Sequence, residues 1–384
     1  MKIAFRADAS LQMGSGHVMR CLTLADALRE QGAQCHFISR AHPGHLMEVI
    51  RQRGYMTNWL VAPVQQSQAA IKNIATAVPD AQPNQQPEPF HAAWLGNTWQ
   101  TDATDTAAVL ASLQPDWLVV DHYALDQRWE EAVAPHYKKL MVIDDLADRA
   151  HLCDVLLDQN LGRQQQDYAK LVPARCQVFT GPQYALLRPE FATLRAYSLQ
   201  RRLAQIGIGK LLITMGGVDQ DNATGQVLQA LKTCALPANC RITVVMGLTA
   251  PWLQKVQELA SQMPWPTDVQ VNVNDMAQRM ADSDLAIGAA GSSSWERCCL
   301  GLPTLMVVLA DNQREAATHL QNSGSAHCFA LNGSMQEDLK AQLQSLVNDP
   351  AQLSQMATCA RAITNGLGVD QVVTAITATL NNRD

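Results

Sequence analysis

"AIGAAGSSSWERCCLGLPTLMVVLADNQREAATHL", residues 286–320, reads in one pass as strand, glycine and serine loop, short helix, strand and helix. A strand pattern over 285–291 ends in small residues, Ser293 marks the helix start, Trp295 to Leu300 carries it, and Gly301 with Pro303 stops it. "PTLMVVL" at 303–309 then resumes an apolar strand. Short apolar runs alternating with helix-length segments predict βαβ units around a parallel sheet. The loop itself has the chemistry of an anion site, because a helix start presents unpaired N–H groups and a partial positive charge. Gly288 and Gly291 let a ligand come close to the backbone, and Ser292, Ser293 and Ser294 add hydroxyl donors. Glu296 has only acceptor capacity to offer, which suits vicinal ribose hydroxyls; its plainer reading is a charge complementing the helix dipole.

The same alternation extends in both directions. Toward the N-terminus of this half come "LLITMGG" at 211–217, a helix from Asn222, "RITVVMG" at 241–247 and "VQVNVNDM" at 269–276. The first half repeats it: "KIAF" at 2–5, a helix over Val18–Gln31 stopped by Gly32, "QCHFISR" at 34–40, "DWLVVDHY" at 116–123 and "KLMVIDD" at 139–145. The fold class expected is α/β, two tandem Rossmann-like doubly wound domains with an interdomain cleft as the ligand site. The N-terminal domain spans 1–198 with a Gln/Pro/Ala-rich surface insertion at about 61–105, a basic linker covers 199–210, and the second domain spans 211–384. The last helix is expected to pack back on the first domain. Ligand sites of such sheets lie at the C-terminal ends of the strands, which marks "RADAS", "DHY" and "DDLADR" by position.

With 384 residues, 17% charged residues and a net charge of −6, the chain has room for two cores and no basic surface for nucleic acid or anionic membrane. No apolar run is long enough to span a bilayer or serve as a signal peptide, so a cytoplasmic monomer acting on a small molecule is expected. The ten cysteines are dispersed with no C-x-x-C pair and read as free, mostly buried thiols. "DQD" at 219–221 and "DSD" at 282–284 read as helix-terminal clusters, so neither metal nor cofactor is expected.

Several blocks together carry a resemblance: "FRADASLQMGSGHVMRCLTLADAL", "VVDHYALD", "VIDDLADRAHLCDVLLDQNLG", "TGPQYALLRPEF", "TMGGVDQDN" and "GAAGSSSWERCCLGLPTLMVVLADNQ". The chain resembles the family of UDP-2,4-diacetamido-2,4,6-trideoxy-β-L-altropyranose hydrolases of pseudaminic acid biosynthesis, from residue 2 to about 330. That family is similar in fold to the two-domain GT-B glycosyltransferases. The resemblance implies a UDP-sugar substrate and UDP as product. It implies His17, Tyr123 and Asn312 as catalytic residues, with Arg6, Asp8, Gly14, Gly16, Arg20 and Gln313 around the substrate. For UDP it implies Gly216, Gly217, Met246, Gly247, Asn274, Met276, the three serines and Glu296. The insertion around 63–90 departs from the family.

UDP leaves a sugar as a stabilised anion, so a protonating acid is not obligatory; what helps is a base for the attacking water and a positive setting for the diphosphate. Histidine, titrating near neutrality, suits the base. His17 behind "GSG" is the candidate, attacking water inverting the anomeric centre, although a lone histidine at a helix start is also an ordinary packed residue. His122 should point away from its neighbour Tyr123, and His42, His45 and His91 are expected to be solvated. The alternatives are a glycosyltransferase using the same donor, a non-catalytic nucleotide-sugar binder, and a hydrolysing 2-epimerase.

Overall fold

The computed structural model describes residues 1–61, 87–204, 207–248 and 250–381, so the middle of the expected insertion, 62–86, lies outside the described residues. The chain divides into two compact units, Met1–Leu157 with Gln165–Val178, and Asp158–Gln164 with Phe179–Asp384.

The first sheet contains β1 (Lys2–Ala7), β2 (Gln34–Arg40), β3 (Met56–Leu60), β4 (Trp117–Asp121), β5 (Lys139–Ile143), β6 (Val155–Asp158) and β7 (Gln177–Thr180) in the order β3-β2-β1-β4-β5-β6-β7. Helices α1 (Gly16–Glu30), α2 (Met47–Gln52), α3 (Trp99–Leu113) and α4 (Gln127–Val133) connect or flank them. Strand order reverses between β1 and β4, which pair in parallel with Ala7 opposite Asp121. The crevice outside the ends of such a strand pair is where doubly wound sheets bind ligands. The insertion ends sooner than the expected Asp105: Thr98 accepts from the Thr101 amide at 3.2 Å and caps α3, whose Asp102 is fully buried.

The second unit opens with α5 (Pro189–Ala204) and forms a sheet of β8 (Lys210–Thr214), β9 (Arg241–Met246), β10 (Thr267–Val271), β11 (Leu285–Ala289), β12 (Thr304–Val308) and β13 (Ala326–Ala330). The order β10-β9-β8-β11-β12-β13 reverses between β8 and β11. Around it lie α6 (Ala223–Leu231), α7 (Leu253–Ala260), α8 (Met276–Asp282), α9 (Ser293–Cys299), α10 (Arg314–Asn322), α11 (Met335–Asn348), α12 (Pro350–Arg361) and α13 (Gly368–Asn381). The core is built from inward-facing β8, β9 and β11 residues such as Leu211, Ile213, Val244 and Ile287, all at most 1% exposed. Helix α13 lies against the turn Pro182–Tyr184, inside this same unit.

The basic stretch expected as a linker is instead the end of a docked helix. Arg202 donates to the carbonyls of Met280 (2.9 Å), Ser283 (2.6 Å) and Leu300 (3.1 Å), and Arg195 to those of Cys299, Arg361 (2.7 Å) and Thr364 (3.0 Å). These carbonyls sit at the C-terminal ends of α8, α9 and α12, where helices lack internal donors and favour cations. Burial pushes the Arg202 guanidinium down to about 10, still protonated at neutral pH. Arg202→Ala is expected to destabilise the second unit by about 2 kcal/mol, since the Met280 and Ser283 carbonyls lose their side-chain donor and the Leu300 carbonyl keeps only Ser198. Urea unfolding of the variant checks this; an unchanged midpoint would contradict the capping role.

Candidate functional site

In the first unit the loop after β1 is pinned by Ser10, whose carbonyl accepts from the Gly14 amide at 2.9 Å and whose Oγ accepts from the amide of Met13 at 2.9 Å. Helix α1 then begins at Gly16, placing His17, Arg20 and Cys21 at i, i+3 and i+4 on one face. That face meets Asp121, the last residue of β4. His17 Nδ1 lies 2.5 Å from Asp121 Oδ1, Arg20 donates to both carboxylate oxygens at 2.6 and 2.7 Å, and the Cys21 thiol approaches Oδ2 at 3.7 Å. Burial alone would raise the Asp121 carboxyl, but the Arg20 guanidinium and then His17 hold it well below the usual carboxylate range.

A second carboxylate extends the array. Arg20 Nη1 reaches Asp145 Oδ2 at 2.7 Å, and the Tyr123 hydroxyl donates to the same oxygen at 2.5 Å. Burial and then Asp145 raise the Tyr123 hydroxyl well above its ordinary value, keeping it neutral. The His17 ring stands edge-on to the Tyr123 ring, centroids 4.5 Å apart. Three residues singled out in the sequence therefore come together, His17, Arg20 and Tyr123, joined by two carboxylates that residue type alone did not single out. Position had marked them, since Asp121 lies in "DHY" and Asp145 in "DDLADR".

Arg6 and Asp8, expected beside the substrate, are fully buried and support the site from behind. Every nitrogen of the Arg6 guanidinium donates inward, to Asp8 (2.6 Å) and to Asp102 (3.2 and 2.7 Å). Asp8 Oδ1 also accepts from Ser39 Oγ and the Arg40 amide, while Oδ2 faces His122 Nε2 at 3.2 Å and His42 Nε2 at 3.5 Å. His42 is thus buried rather than solvated, because its ring closes over that carboxylate. His91 is not free in solvent either, since it packs on the Tyr123 ring. His122 does turn away from Tyr123, toward Asp8, and burial lowers its imidazole against the pull of that carboxylate.

In the second unit the loops after β8 and β11 flank the strand-order reversal. Gly216 and Gly217 are exposed after β8. A Cβ on Gly247 would lie 2.0 Å from the Gly217 carbonyl oxygen, so only glycine lets the loops after β8 and β9 touch. The Met246 side chain is in the core at 2% exposure, and its carbonyl is taken by the Asn272 amide at 3.1 Å. Asn274 is exposed, and Met276 packs partly into the core.

The serines divide. Ser292 is exposed at the start of α9, whereas the Ser293 and Ser294 hydroxyls accept from Arg297 at 3.1 and 3.0 Å, and Ser294 is buried. The expected hydroxyl donors at 293 and 294 are therefore turned inward by an arginine that sequence reading passed over. Arg297 is fully buried, donates to the Ala289 carbonyl at 2.7 Å, and leaves Nε without a hydrogen-bond partner. A Cβ on Gly288 would come within 2.6 Å of its Nη1, so that glycine makes room for the guanidinium. Burial lowers Arg297 to about 10, leaving a protonated cation directly beneath the loop. Burial raises the Glu296 carboxyl, opposed by Arg188, whose Nη2 is 4.0 Å away. Asn312 sits exposed in the turn Asp311–Gln313, and the Gln313 side-chain oxygen accepts from the Leu309 amide at 3.0 Å, which ties it to the turn. No group of metal-ligating side chains occurs among the described residues, and no helix among them is long and apolar enough to cross a membrane.

Two outcomes follow. The first unit holds Asp8, Asp102, Asp121 and Asp144 below the ordinary carboxylate range and His122 below the ordinary imidazole value. Its stability is complete at neutral pH, begins to fall below about pH 6.5 as unfolded histidine takes up protons, and falls steeply below about pH 4 as the carboxylates do. Hydrogen exchange on acidification should open β1 and β4 before β8 and β11; the reverse order would contradict this. Arg297→Met is expected to weaken binding of inorganic pyrophosphate at least tenfold by calorimetric titration, and an unchanged affinity would remove the cation from an anion-binding role for the loop.

The chain is similar to known proteins over one or both of its halves. Residues 211–371 match the glycosyltransferase family 28 C-terminal domain. Over 325 residues the chain is 25% identical to the UDP-2,4-diacetamido-2,4,6-trideoxy-beta-L-altropyranose hydrolase of Campylobacter jejuni, covering 84% of this chain and 97% of that protein. An uncharacterized protein of Methanocaldococcus jannaschii is 23% identical over 82% of this chain, which spans 57% of the archaeal protein's length. Among solved structures, MurG of Acinetobacter baumannii aligns with a TM-score of 0.68 at 17% identity, covering 98% of this chain and 99% of MurG. The chain therefore has the GT-B fold, is similar over most of its length to the Campylobacter hydrolase, and in its second half is similar to the glycosyltransferase family 28 C-terminal domain.

Proposed function

We propose that the protein hydrolyses UDP-2,4-diacetamido-2,4,6-trideoxy-β-L-altropyranose to UDP and the free sugar, as a cytoplasmic, metal-independent step of pseudaminic acid biosynthesis. The observation that carries this reading is the buried His17–Asp121 pair with its Arg20 clamp. It stands in a chain similar over most of its length to a protein named for that reaction. An ionised Asp121 accepts the Nδ1–H of His17, which fixes the tautomer and leaves Nε2 free to act as a base. In this reading Nε2 takes a proton from water, the water oxygen bonds to the anomeric carbon, and the C1–O bond breaks on the opposite face. The electron pair leaves on the UDP β-phosphate, so the anomeric centre inverts. No acid is needed at the leaving group.

The second unit, in the same reading, binds the nucleotide: Gly216 and Gly217, the exposed Ser292 and the cation beneath it serve the diphosphate, and Glu296 serves the ribose. Asn312 and Tyr123 orient water or the acetamido groups. His17→Asn is expected to lower UDP release by a factor of at least about 100 while leaving the UDP dissociation constant within about twofold. Turnover retained in that variant would remove His17 from the base role. Wild-type protein incubated with the UDP-sugar and no acceptor should yield free sugar and UDP in equal amounts; a requirement for an acceptor would make it a transferase.

A further inference from the structure

Residues 90–94 carry an aromatic group packed against Tyr123. Leu95, 2% exposed, anchors the 3-10 turn Ala92–Leu95 in the core of the first unit. The His91 and Trp94 rings meet at a tilt of 44° with centroids 4.2 Å apart, and both reach Tyr123, His91 at 5.4 Å and Trp94 stacked on it at 5.8 Å with planes 26° apart. Phe90 stands edge-on to His91 at 4.9 Å yet is 86% exposed. Tyr123 in turn touches His17. The rings thus form a continuous surface running from solvent to the candidate base.

Core packing accounts for Leu95 alone. His91 and Trp94 remain half-buried and Phe90 open, more apolar ring surface than folding at this turn requires. We propose that His91 and Trp94 form a specificity wall for the apolar parts of the sugar that N-acetylglucosamine lacks, the C6 methyl and the C4 acetamido methyl of a 2,4-diacetamido-2,4,6-trideoxy sugar. Flat aromatic faces suit such C–H groups, and a methyl contact in an apolar site is worth about tenfold or more in discrimination. Burial lowers the His91 imidazole despite Asp148, which keeps the ring uncharged beside the sugar. The inference rests on the proposed UDP-sugar reading and adds its selectivity.

Steady-state kinetics of Trp94→Ala and Trp94→Phe with the diacetamido UDP-sugar test it, with UDP and UDP-N-acetylglucosamine as inhibitors. Trp94→Ala should raise KM about tenfold, leave kcat within about threefold and leave both inhibition constants unchanged, and Trp94→Phe should recover most of the loss. An unchanged KM, a parallel loss of UDP affinity, or a phenylalanine variant as poor as alanine would overturn the wall. If wild-type protein binds the nucleotide sugar without turning it over, the hydrolase reading fails by itself, and the same comparison is then made with dissociation constants.

Discussion

The buried carboxylate of Asp121, held by Arg20 and His17, is the constraint on which the first unit's site depends. A carboxylate removed from water costs several kcal/mol unless it is paired, and leaving it unpaired is more costly than never burying it. Arg20 supplies both hydrogen bonds in a forked geometry at 2.6 and 2.7 Å, so the charge is retained and His17 has a fixed acceptor. That arrangement in turn requires β1 and β4 to be neighbours with Ala7 and Asp121 level, and α1 to start at Gly16 so that residues one helical turn apart face the strand end. The position of His17 against Asp121 follows from the strand order.

The second unit solves a different electrostatic problem. Its buried cation, Arg297, faces hydroxyls and a carbonyl and has no carboxylate among its bonded partners. Glycine at 288 gives it space, and the serines it binds hold the loop in one conformation. A preorganised positive loop of this kind favours an anion without reorganisation when the ligand arrives. Removing Gly288 or Arg297 would disturb one and the same object.

The strands that position the sites were legible because they are continuous apolar runs flanked by turn residues. "DWLVVDHY" gives β4 at Trp117–Asp121 and "LAIGAAG" gives β11 at Leu285–Ala289. The edge strands β3, "MTNWL", and β13, "AHCFA", mix polar and small residues because an edge is buried on fewer sides, and they escaped notice. Helix α3 was hidden by its alanine-rich, weakly apolar sequence, although Thr98 supplied a cap signal. At the sites, His17 and Tyr123 carry chemistry in their residue type. Asp121 acquires its importance only through a contact 104 residues away. Residue type does not mark Arg297; the cue to its burial lies in its neighbours, Trp295, Cys298 and Cys299, which are buried on several faces of one short helix. Pairings between distant strands are set by topology, which periodicity does not encode.

In the proposed reaction, water activated by a His17 held on Asp121 attacks the anomeric carbon. Proton NMR and mass spectrometry of the reaction with the diacetamido UDP-sugar in 18O-enriched water test it most directly. Free sugar bearing 18O at C1 is expected, appearing first as the anomer opposite to the substrate, with UDP unlabelled. Label in the UDP β-phosphate, retention at C1, or solvent deuterium entering C2 in a parallel run in heavy water would contradict it.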